Sequence, residues 1–347
     1  MMKICSALIS MVIGAAAFAA PAFAQEMTVK IGAVRSVANV SVYTGIDKGW
    51  YKAYGINVEV EDLDASANVI SLLATNRIQV VEGGISAGFF NGIDQKLPII
   101  ITSDRTSSPL SHKLLVREGL QDKVKRISDL RGMRIASNAN ASVTSYEVGK
   151  ILEADGASLA QIDLKIIAFP LMGAAFRNGA IDAALVIQPW GSSLVDEKIA
   201  FLLADPDDYA NPRPLTIAAT IINTEWAAKT SEMVKKFFVA YMRGVREYCL
   251  AYHRGPNRAE IVERSTRMGP IKDAAFTEKY PWPGRNMSGE MNRPSLLDIQ
   301  KYYREIGVVK TNLTAEQLID RQFIDHANKE LGPLPQVNPD SKLAGCR

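Results

Sequence analysis

A segment of small polar residues in the middle of the chain has the character of an anion-binding helix start. A short apolar run at residues 133–137 is followed by Asn-Ala-Asn-Ala-Ser at residues 138–142. Thr144 and Glu147 then match the Thr-x-x-Glu capping box, which predicts that a helix begins here. The free backbone N–H groups of a first helical turn favour a carboxylate, sulfonate or phosphate. An ordinary capped helix with nothing bound is the alternative interpretation.

Two arginines and two aromatic residues are further candidates for contact with a ligand. Arg35 and Arg105 each follow a predicted strand. A guanidinium at such a position can hold a carboxylate or sulfonate through two parallel hydrogen bonds, and a surface ion pair is the alternative for each. Phe169 and Trp190 could stack on a flat ligand or pack beneath a hinge.

One motif would indicate catalysis. Residues 84–88 read Gly-Ile-Ser-Ala-Gly, the Gly-x-Ser-x-Gly pattern in which an exported esterase would use Ser86 as its nucleophile. That mechanism needs an acidic residue and then a histidine, and His326 is the late candidate. His326 falls on a predicted amphipathic helix rather than on a loop after a strand. We therefore favour a glycine-rich binding turn and predict that the chain is not an enzyme and has no catalytic residues.

Metal, cofactor and nucleic-acid sites are not indicated. The three histidines, His112, His253 and His326, are far apart, and none has a histidine partner at three to five residues. The 40 basic residues nearly balance the 37 acidic ones, and no basic run is interleaved with aromatics. We predict no metal, no cofactor and no nucleic-acid partner.

The elements that must position these residues alternate along the chain. Helical periodicity separates short apolar runs, a pattern typical of parallel sheets with helices packed on them. Such sheets bind ligands beyond the carboxyl ends of their strands. A length of 347 residues favours two lobes over one core. The strands are predicted at 29–34, 56–60, 78–81, 97–103, 112–117, 133–137, 164–169, 181–187 and 215–222, and the later helices at 231–253, 257–267, 295–306 and 314–330.

The N-terminus resembles a secretory signal. Lys3 precedes an uncharged apolar run, and Ala22-Phe23-Ala24 supplies an Ala-x-Ala site, so we place cleavage after Ala24. An uncleaved anchor is the alternative. No cysteine lies directly after the apolar run, which argues against a lipid anchor. Cys249 and Cys346 would remain in the mature protein, where they could pair.

Four stretches resemble a known family. They are Gly-Ile-Asp-Lys-Gly-Trp-Tyr-Lys-Ala-Tyr-Gly-Ile at 45–56, Gln-Lys-Leu-Pro-Ile at 95–99, Ser-Asp-Leu-Arg-Gly-Met-Arg-Ile-Ala at 128–136, and Asn-Gly-Ala-Ile-Asp-Ala at 178–183 with Gln-Pro-Trp at 188–190. In this order they resemble the periplasmic solute-binding proteins of ABC importers, in the nitrate/sulfonate/taurine and thiamine-precursor (NMT1/THI5-like) group. The thiamine-pyrimidine synthases of that superfamily carry a cysteine-rich motif that is absent here.

The resemblance implies an α/β, two-lobed periplasmic-binding-protein type II fold with two hinge crossings. It implies a monomeric, periplasmic protein that closes on a small-molecule ligand and delivers it to ABC permease subunits at the inner membrane. We expect the ligand to be a small organic anion that could be aromatic: a carboxylate, a sulfonate or a pyrimidine-type precursor. Gln188 stands where relatives usually have Glu. The cleft residues implied by position are Ser36, Val37, Ala38, Asn39, Gly84, Ile85, Ser86, Asp104, Arg105, Ser137, Asn138, Ser142, Val143, Thr144, Phe169, Gln188 and Trp190.

The expected division of the chain follows from the same resemblance. Residues 1–24 are the signal peptide, 25–110 and 215–335 form the first lobe with the C-terminal helices, and 111–214 form the second lobe. Residues 336–347 are expected to be a disordered tail. The strands at 112–117 and 215–222 are expected to cross between the lobes.

Overall fold

The structure, a computed structural model, describes residues 26–65 and 69–346, so the predicted signal peptide lies outside the described residues. The described chain forms two five-stranded sheets. The strands are β1 (Met27–Val34), β2 (Ile56–Leu63), β3 (Val80–Gly84), β4 (Ile99–Ser107), β5 (Lys113–Arg117), β6 (Arg134–Ser137), β7 (Asp163–Ile166), β8 (Ala183–Val186), β9 (Ala200–Ala204) and β10 (Thr216–Asn223).

Helices follow or connect most of these strands. They are α1 (Val40–Asp47), α2 (Ile70–Ala74), α3 (Ala87–Asp94), α4 (Val143–Glu153), α5 (Phe169–Arg177), α6 (Trp190–Asp196), α7 (Thr224–Lys229), α8 (Ser231–Tyr252), α9 (Arg258–Met268), α10 (Ala274–Lys279), α11 (Arg293–Glu305), α12 (Ala315–Leu318) and α13 (Gln322–Leu331).

The two sheets share one topology. The first sheet has the order β2-β1-β3-β10-β4, and the second has the order β7-β6-β8-β5-β9. In the first, β1 is parallel to β2 and β3, while β10 is antiparallel to β3 and β4. In the second, β6 is parallel to β7 and β8, while β5 is antiparallel to β8 and β9. In each sheet, the fourth strand in spatial order is the first strand that the chain forms after it passes between the sheets: β10 in the first sheet and β5 in the second.

The central strands of both sheets are buried on two faces, whereas the edge strands β2 and β7 are partly exposed. In β3, Val80 packs in a core with Phe237 and Phe238 of α8, whereas the next residue, Val81, packs in a core with Phe90 of α3. Successive side chains of a strand point to opposite faces, so such strands read as continuous apolar runs. This is why the apolar runs predicted the strand positions well.

The chain passes between the sheets at residues 108–112 and 205–215. These two segments are hydrogen-bonded to each other: the Asp207 carboxylate accepts from the Ser108 hydroxyl and the Leu110 N–H, each at 2.5 Å, and the Ser108 hydroxyl accepts from the Leu215 N–H at 2.7 Å. The strands expected to cross are instead β5 and β10, which lie within the sheets, because their full length is used in strand pairing.

The C-terminal segment differs from the predicted disordered tail. Cys346 is buried and forms a disulfide with Cys249 of α8. His253 Nδ1 lies 2.8 Å from the Ser341 hydroxyl, and His253 Nε2 lies 3.1 Å from the Cys346 carbonyl oxygen. A polar composition suggested disorder, but covalent and hydrogen-bonded anchors hold residues 333–346 against the helices.

Other local predictions were wrong or incomplete. The helix expected over 314–330 is two helices, α12 and α13, separated by residues 319–321, of which Ile319 is extended. Strand β9 and helices α6 and α10 were not predicted. Among residues 26–65 and 69–346, no helix has both the length and the apolar composition needed to cross a membrane.

Candidate functional site

A cavity of about 50 Å³ lies between the two sheets. One water molecule needs about 10–15 Å³ on this scale, so the space suits a small solute. Most of its walls come from segments just beyond the carboxyl ends of parallel strands in both sheets, as expected for such folds. The lining residues are Val34, Ser36, Ala65, Gly84, Arg105, Thr106, His112, Asn138, Ser142, Val143, Thr144, Phe169, Ile187, Ile217 and Ala218.

The start of α4 forms one polar wall of the cavity. The Thr144 hydroxyl lies 2.7 Å from the Ser137 hydroxyl, 2.9 Å from the Ser142 hydroxyl and 2.7 Å from Asn138 Oδ1. Ser142 is the N-cap residue, but its side chain makes no capping hydrogen bond. The first turn of α4 therefore borders the cavity without a side-chain cap.

The capping box predicted at this helix is absent. The helix begins at Val143, one residue before Thr144, and the Thr144 hydroxyl is used within the loop network. Glu147 does not return to the backbone. Its carboxylate contacts the His112 ring, with Nδ1 at 2.9 Å from Oε1 and 3.1 Å from Oε2.

The pair of His112 and Glu147 is buried. Glu147 is 0% exposed and His112 is 8% exposed. Burial raises the pKa of the Glu147 carboxyl above its ordinary value, and the His112 ring acts in the opposite direction. Of the two, His112 borders the cavity.

Arg105 is a basic residue of the cavity wall, and contacts with residues in and next to the first sheet hold it in place. Its Nη2 donates to the Ser36 hydroxyl at 3.0 Å and to Asn39 Oδ1 at 3.1 Å, and its Nε lies 3.4 Å from Glu82 Oε2. Burial lowers the pKa of Arg105, and Glu82 opposes this shift. The fully buried carboxylate of Glu82 therefore compensates much of the positive charge of Arg105.

Asp104 lies behind the cavity wall rather than in it. Its Oδ2 accepts from the Asn286 N–H at 2.6 Å and from the Ser107 hydroxyl at 3.0 Å. The side chain is 0% exposed, and burial raises its pKa to about 6 against the opposing effects of these bonds and of Arg285.

The structure brings part of the predicted set together. Of the residues predicted for the cleft, those that line the cavity are Ser36, Gly84, Arg105, Asn138, Ser142, Val143, Thr144 and Phe169. Trp190 stacks on Phe169 with ring centroids 5.8 Å apart, and Ser137 and Asn39 support lining residues through hydrogen bonds.

Other predicted residues are buried without lining the cavity, because their side chains serve packing or backbone contacts. They are Val37, Ala38, Ile85, Ser86, Asp104 and Gln188. Arg35 does not reach the cavity either. It forms a half-exposed ion pair with Asp62, so the surface alternative holds for this residue.

Several lining residues were missed. Ile217 and Ala218 belong to β10, which joins the first sheet only after the second crossing, and Thr106 extends β4 beyond its predicted end. His112 was considered only as a metal ligand. Its place at the start of the strand expected to cross between the lobes was the sequence signal that could have marked it as a cleft residue.

The hydrolase alternative finds no support in the geometry. Ser86 precedes α3 as its N-cap residue, and its buried hydroxyl has no hydrogen-bond partner among the described residues. No histidine of the described chain acts on it as a base, and His326 lies on α13. Within residues 26–65 and 69–346, no group of three or more His, Cys, Asp or Glu side chains is arranged to hold a metal ion.

Comparisons with known proteins identify the family and the fold. The model of the NMT1-like family matches residues 23–265. The taurine-binding periplasmic protein of Escherichia coli (strain K12) is 24% identical over 294 residues, which cover 82% of this chain and 89% of that protein.

Two solved structures have the same architecture. The alkanesulfonate-binding protein SsuA from Xanthomonas axonopodis pv. citri, bound to MOPS, superimposes with a TM-score of 0.69 at 15% identity, over 86% of this chain and 99% of that chain. The periplasmic nitrate-binding protein NrtA from Synechocystis PCC 6803 gives a TM-score of 0.69 at 13% identity, over 90% and 91%. These similarities confirm the predicted two-lobed α/β fold of periplasmic binding proteins.

Proposed function

This chain belongs to the NMT1-like family, and on that premise we propose that it is the periplasmic solute-binding component of an ABC importer. It captures a small organic anion, a carboxylate or a sulfonate, in the cavity between its two sheets. It then presents the loaded form to permease subunits at the inner membrane. It acts as a monomer and without catalysis.

The observation that carries the proposal is the first turn of α4 at the cavity. Ser142, Val143 and Thr144 line the space, and the N-cap side chain leaves the turn uncapped. Partial positive charge at a helix N-terminus stabilises an anion, and first-turn N–H groups can donate to its oxygens. The hydroxyls of Ser142 and Thr144 donate within the loop, to the Ala139 carbonyl and to Asn138 Oδ1, and so hold the turn in place. No acidic side chain is among the described residues that line the cavity.

The remaining lining residues suit a solute that carries a small apolar group next to its charged group. Val34, Phe169 and Ile187 provide apolar surface, and the cavity volume of about 50 Å³ suits a short chain. A carboxylate or sulfonate on a few carbon atoms satisfies both parts of the site. The names of the taurine-binding and alkanesulfonate-binding relatives agree with this class.

The division into lobes supports capture by closure. We propose that residues 25–110 and 215–335 move as one lobe and 111–214 as the other, about the hydrogen-bonded crossings at Ser108 and Asp207. The signal peptide at 1–24, cleaved after Ala24, would deliver the protein to the periplasm.

The test is a thermal-shift screen of the mature protein against taurine, ethanesulfonate, propionate, benzoate and nitrate. A ligand that binds only the folded state stabilises it by about 2.7 kcal/mol at a hundredfold excess over Kd. Thr144→Val should weaken the shift, and the matched surface variant Thr75→Val, on the C-terminal side of α2, should not. Absence of any shift, together with ester hydrolysis that is lost in Ser86→Ala, would overturn the proposal.

A further inference from the structure

The ring of His112 has one nitrogen in contact with a carboxylate and one without a hydrogen-bond partner among the described residues. Nδ1 contacts both carboxylate oxygens of Glu147, and for Nε2 no hydrogen-bond partner exists among the described residues. His112 lies in the first crossing segment, directly before β5, and lines the cavity together with Arg105 and Thr144. His112 therefore joins three parts of the structure: it lies in the first crossing segment, contacts Glu147 of α4 and lines the cavity.

The protonation of the pair decides what Nε2 can do. When the pair holds two protons, one lies between Nδ1 and Glu147 and the other is on Nε2, which is then a donor. When the pair loses one proton, the remaining proton lies on Nδ1 next to the carboxylate, and Nε2 becomes an acceptor. An anion in the cavity is stabilised only by the first state, because an acceptor would repel it.

Charged groups surround the pair, and the carboxylates of Asp205 and Asp207 add to the raised pKa of Glu147. Arg105 lines the same cavity but is paired with Glu82. Lys113 pairs with Asp205, and the Asp207 carboxylate accepts bonds from the crossing segment. The other titratable groups that act on the site are Tyr146 and Tyr303, which interact electrostatically with Glu147, and Asp104 behind the wall.

We propose that His112 binds the anionic group of the solute through its Nε2–H, and that Glu147 holds the ring at Nδ1, so that anion binding is coupled to uptake of one proton. This inference rests on the proposed function and names a residue that determines specificity. His112 contacts the solute, and Glu147 is a positioning residue. The site then prefers an anion over its uncharged analogue, because only the anion draws the proton onto the pair.

The experiment is titration calorimetry with ethanesulfonate and with propionate, each beside its neutral amide, between pH 5.5 and 8.5. The sulfonate keeps its charge over this range, so its pH dependence reports on the protein. Repeating the titration at one pH in Bis-Tris and in Tris, which are not anionic and differ in heat of ionisation, counts the protons taken up. We expect Kd to rise with pH, by up to about tenfold per pH unit for one linked proton.

Variants separate His112 from the other groups. His112→Gln should weaken anion binding by about 10- to 100-fold, the usual range for a hydrogen bond to a charged group, and should abolish proton uptake. Glu147→Gln should also abolish proton uptake. His326→Gln, a histidine on α13 outside the site, should behave as the wild type, and His112→Asn serves if the glutamine variant does not fold.

The outcomes distinguish the two proposals. Anion binding by the wild type that is independent of pH, or proton uptake that persists in His112→Gln and thus comes from a group such as Asp104, overturns the role of His112 and leaves the binding function intact. Failure of the wild type to bind taurine, ethanesulfonate, propionate, benzoate or nitrate overturns both.

Discussion

Gly84 of the first sheet lies directly against Val143 of the second lobe across the cavity. A Cβ atom built on Gly84 would be 2.5 Å from Val143 Cγ1, a distance that no normal packing allows. Both residues line the cavity, at the end of β3 and at the start of α4. The absence of a side chain at residue 84 is therefore what lets the two lobes meet at this point.

Gly84→Ala should hold the lobes apart. Val143 is β-branched and has little rotamer freedom at a helix start, so the added methyl group displaces the lobe rather than the side chain. We expect a loss of about 1–3 kcal/mol in unfolding free energy, typical of overpacking, and weaker anion binding. Urea unfolding and calorimetry measure the two effects.

A glycine elsewhere provides the control. Gly191 of α6 is also buried, but an added Cβ there would have its nearest contact at 3.4 Å, an ordinary packing distance. Gly191→Ala should leave the affinity unchanged. Equal affinities of the Gly84→Ala variant and the wild type would contradict the proposed closure across Gly84.

Arg105 and Glu82 form a buried ion pair, so the effects of replacing them on the free energy of unfolding should not be additive. Arg105→Met leaves the carboxylate of Glu82 fully buried without its partner cation, and breaking a buried pair in this way costs about 3–5 kcal/mol. Glu82→Gln combined with Arg105→Met removes both charges and should recover much of the loss. Urea unfolding of the single and double variants tests this, and a double variant as unstable as Arg105→Met would show that Arg105 stabilises the fold by other contacts.

The sequence predicted the central strands because they are buried on two faces. Continuous apolar runs such as those at β6 and β8 need no knowledge of distant residues to be recognised. The fold followed from their alternation with helices and from the family resemblance.

The site was less predictable because its contacts join residues far apart in the chain. Thr144 and Glu147 have capping-box spacing, a local rule, yet Glu147 pairs with His112, which is 35 residues away. Arg105 owes its place to Glu82 and Asn39, and Arg35, equivalent to it by pattern, has Asp62 within reach on the surface. Nothing in local spacing distinguishes the two arginines.

Asp104 should make stability depend on pH. Its pKa rises from 3.8 to about 6 in the fold, so its contribution favours the folded state below pH 3.8 and is lost as pH rises through about 6. The difference corresponds to about 3 kcal/mol. Asp104→Asn, which cannot ionise, should therefore gain about this much relative to the wild type between pH 3.5 and pH 7.5.

Urea unfolding at a series of pH values measures this gain. The exposed Asp122→Asn variant is the matched control and should show a constant difference from the wild type. A constant difference for Asp104→Asn as well would mean that the carboxylate is as well solvated in the fold as in the unfolded chain.

The disulfide between Cys249 and Cys346 should anchor the C-terminal segment. The two cysteines are separated by 97 residues. Loop-closure entropy alone gives about 4.7 kcal/mol for a loop of about 100 residues, and disulfides typically stabilise a fold by about 2–4 kcal/mol. Cys249→Ser combined with Cys346→Ser should lower the unfolding free energy by about that amount and expose residues 333–346 to proteolysis. Because these residues lie away from the cavity lining, anion affinity should be unchanged. Wild-type protein treated with a reductant should match the double variant, and resistance of the reduced segment to proteases would show that the contacts of His253 with Ser341 and Cys346 hold it without the covalent bond.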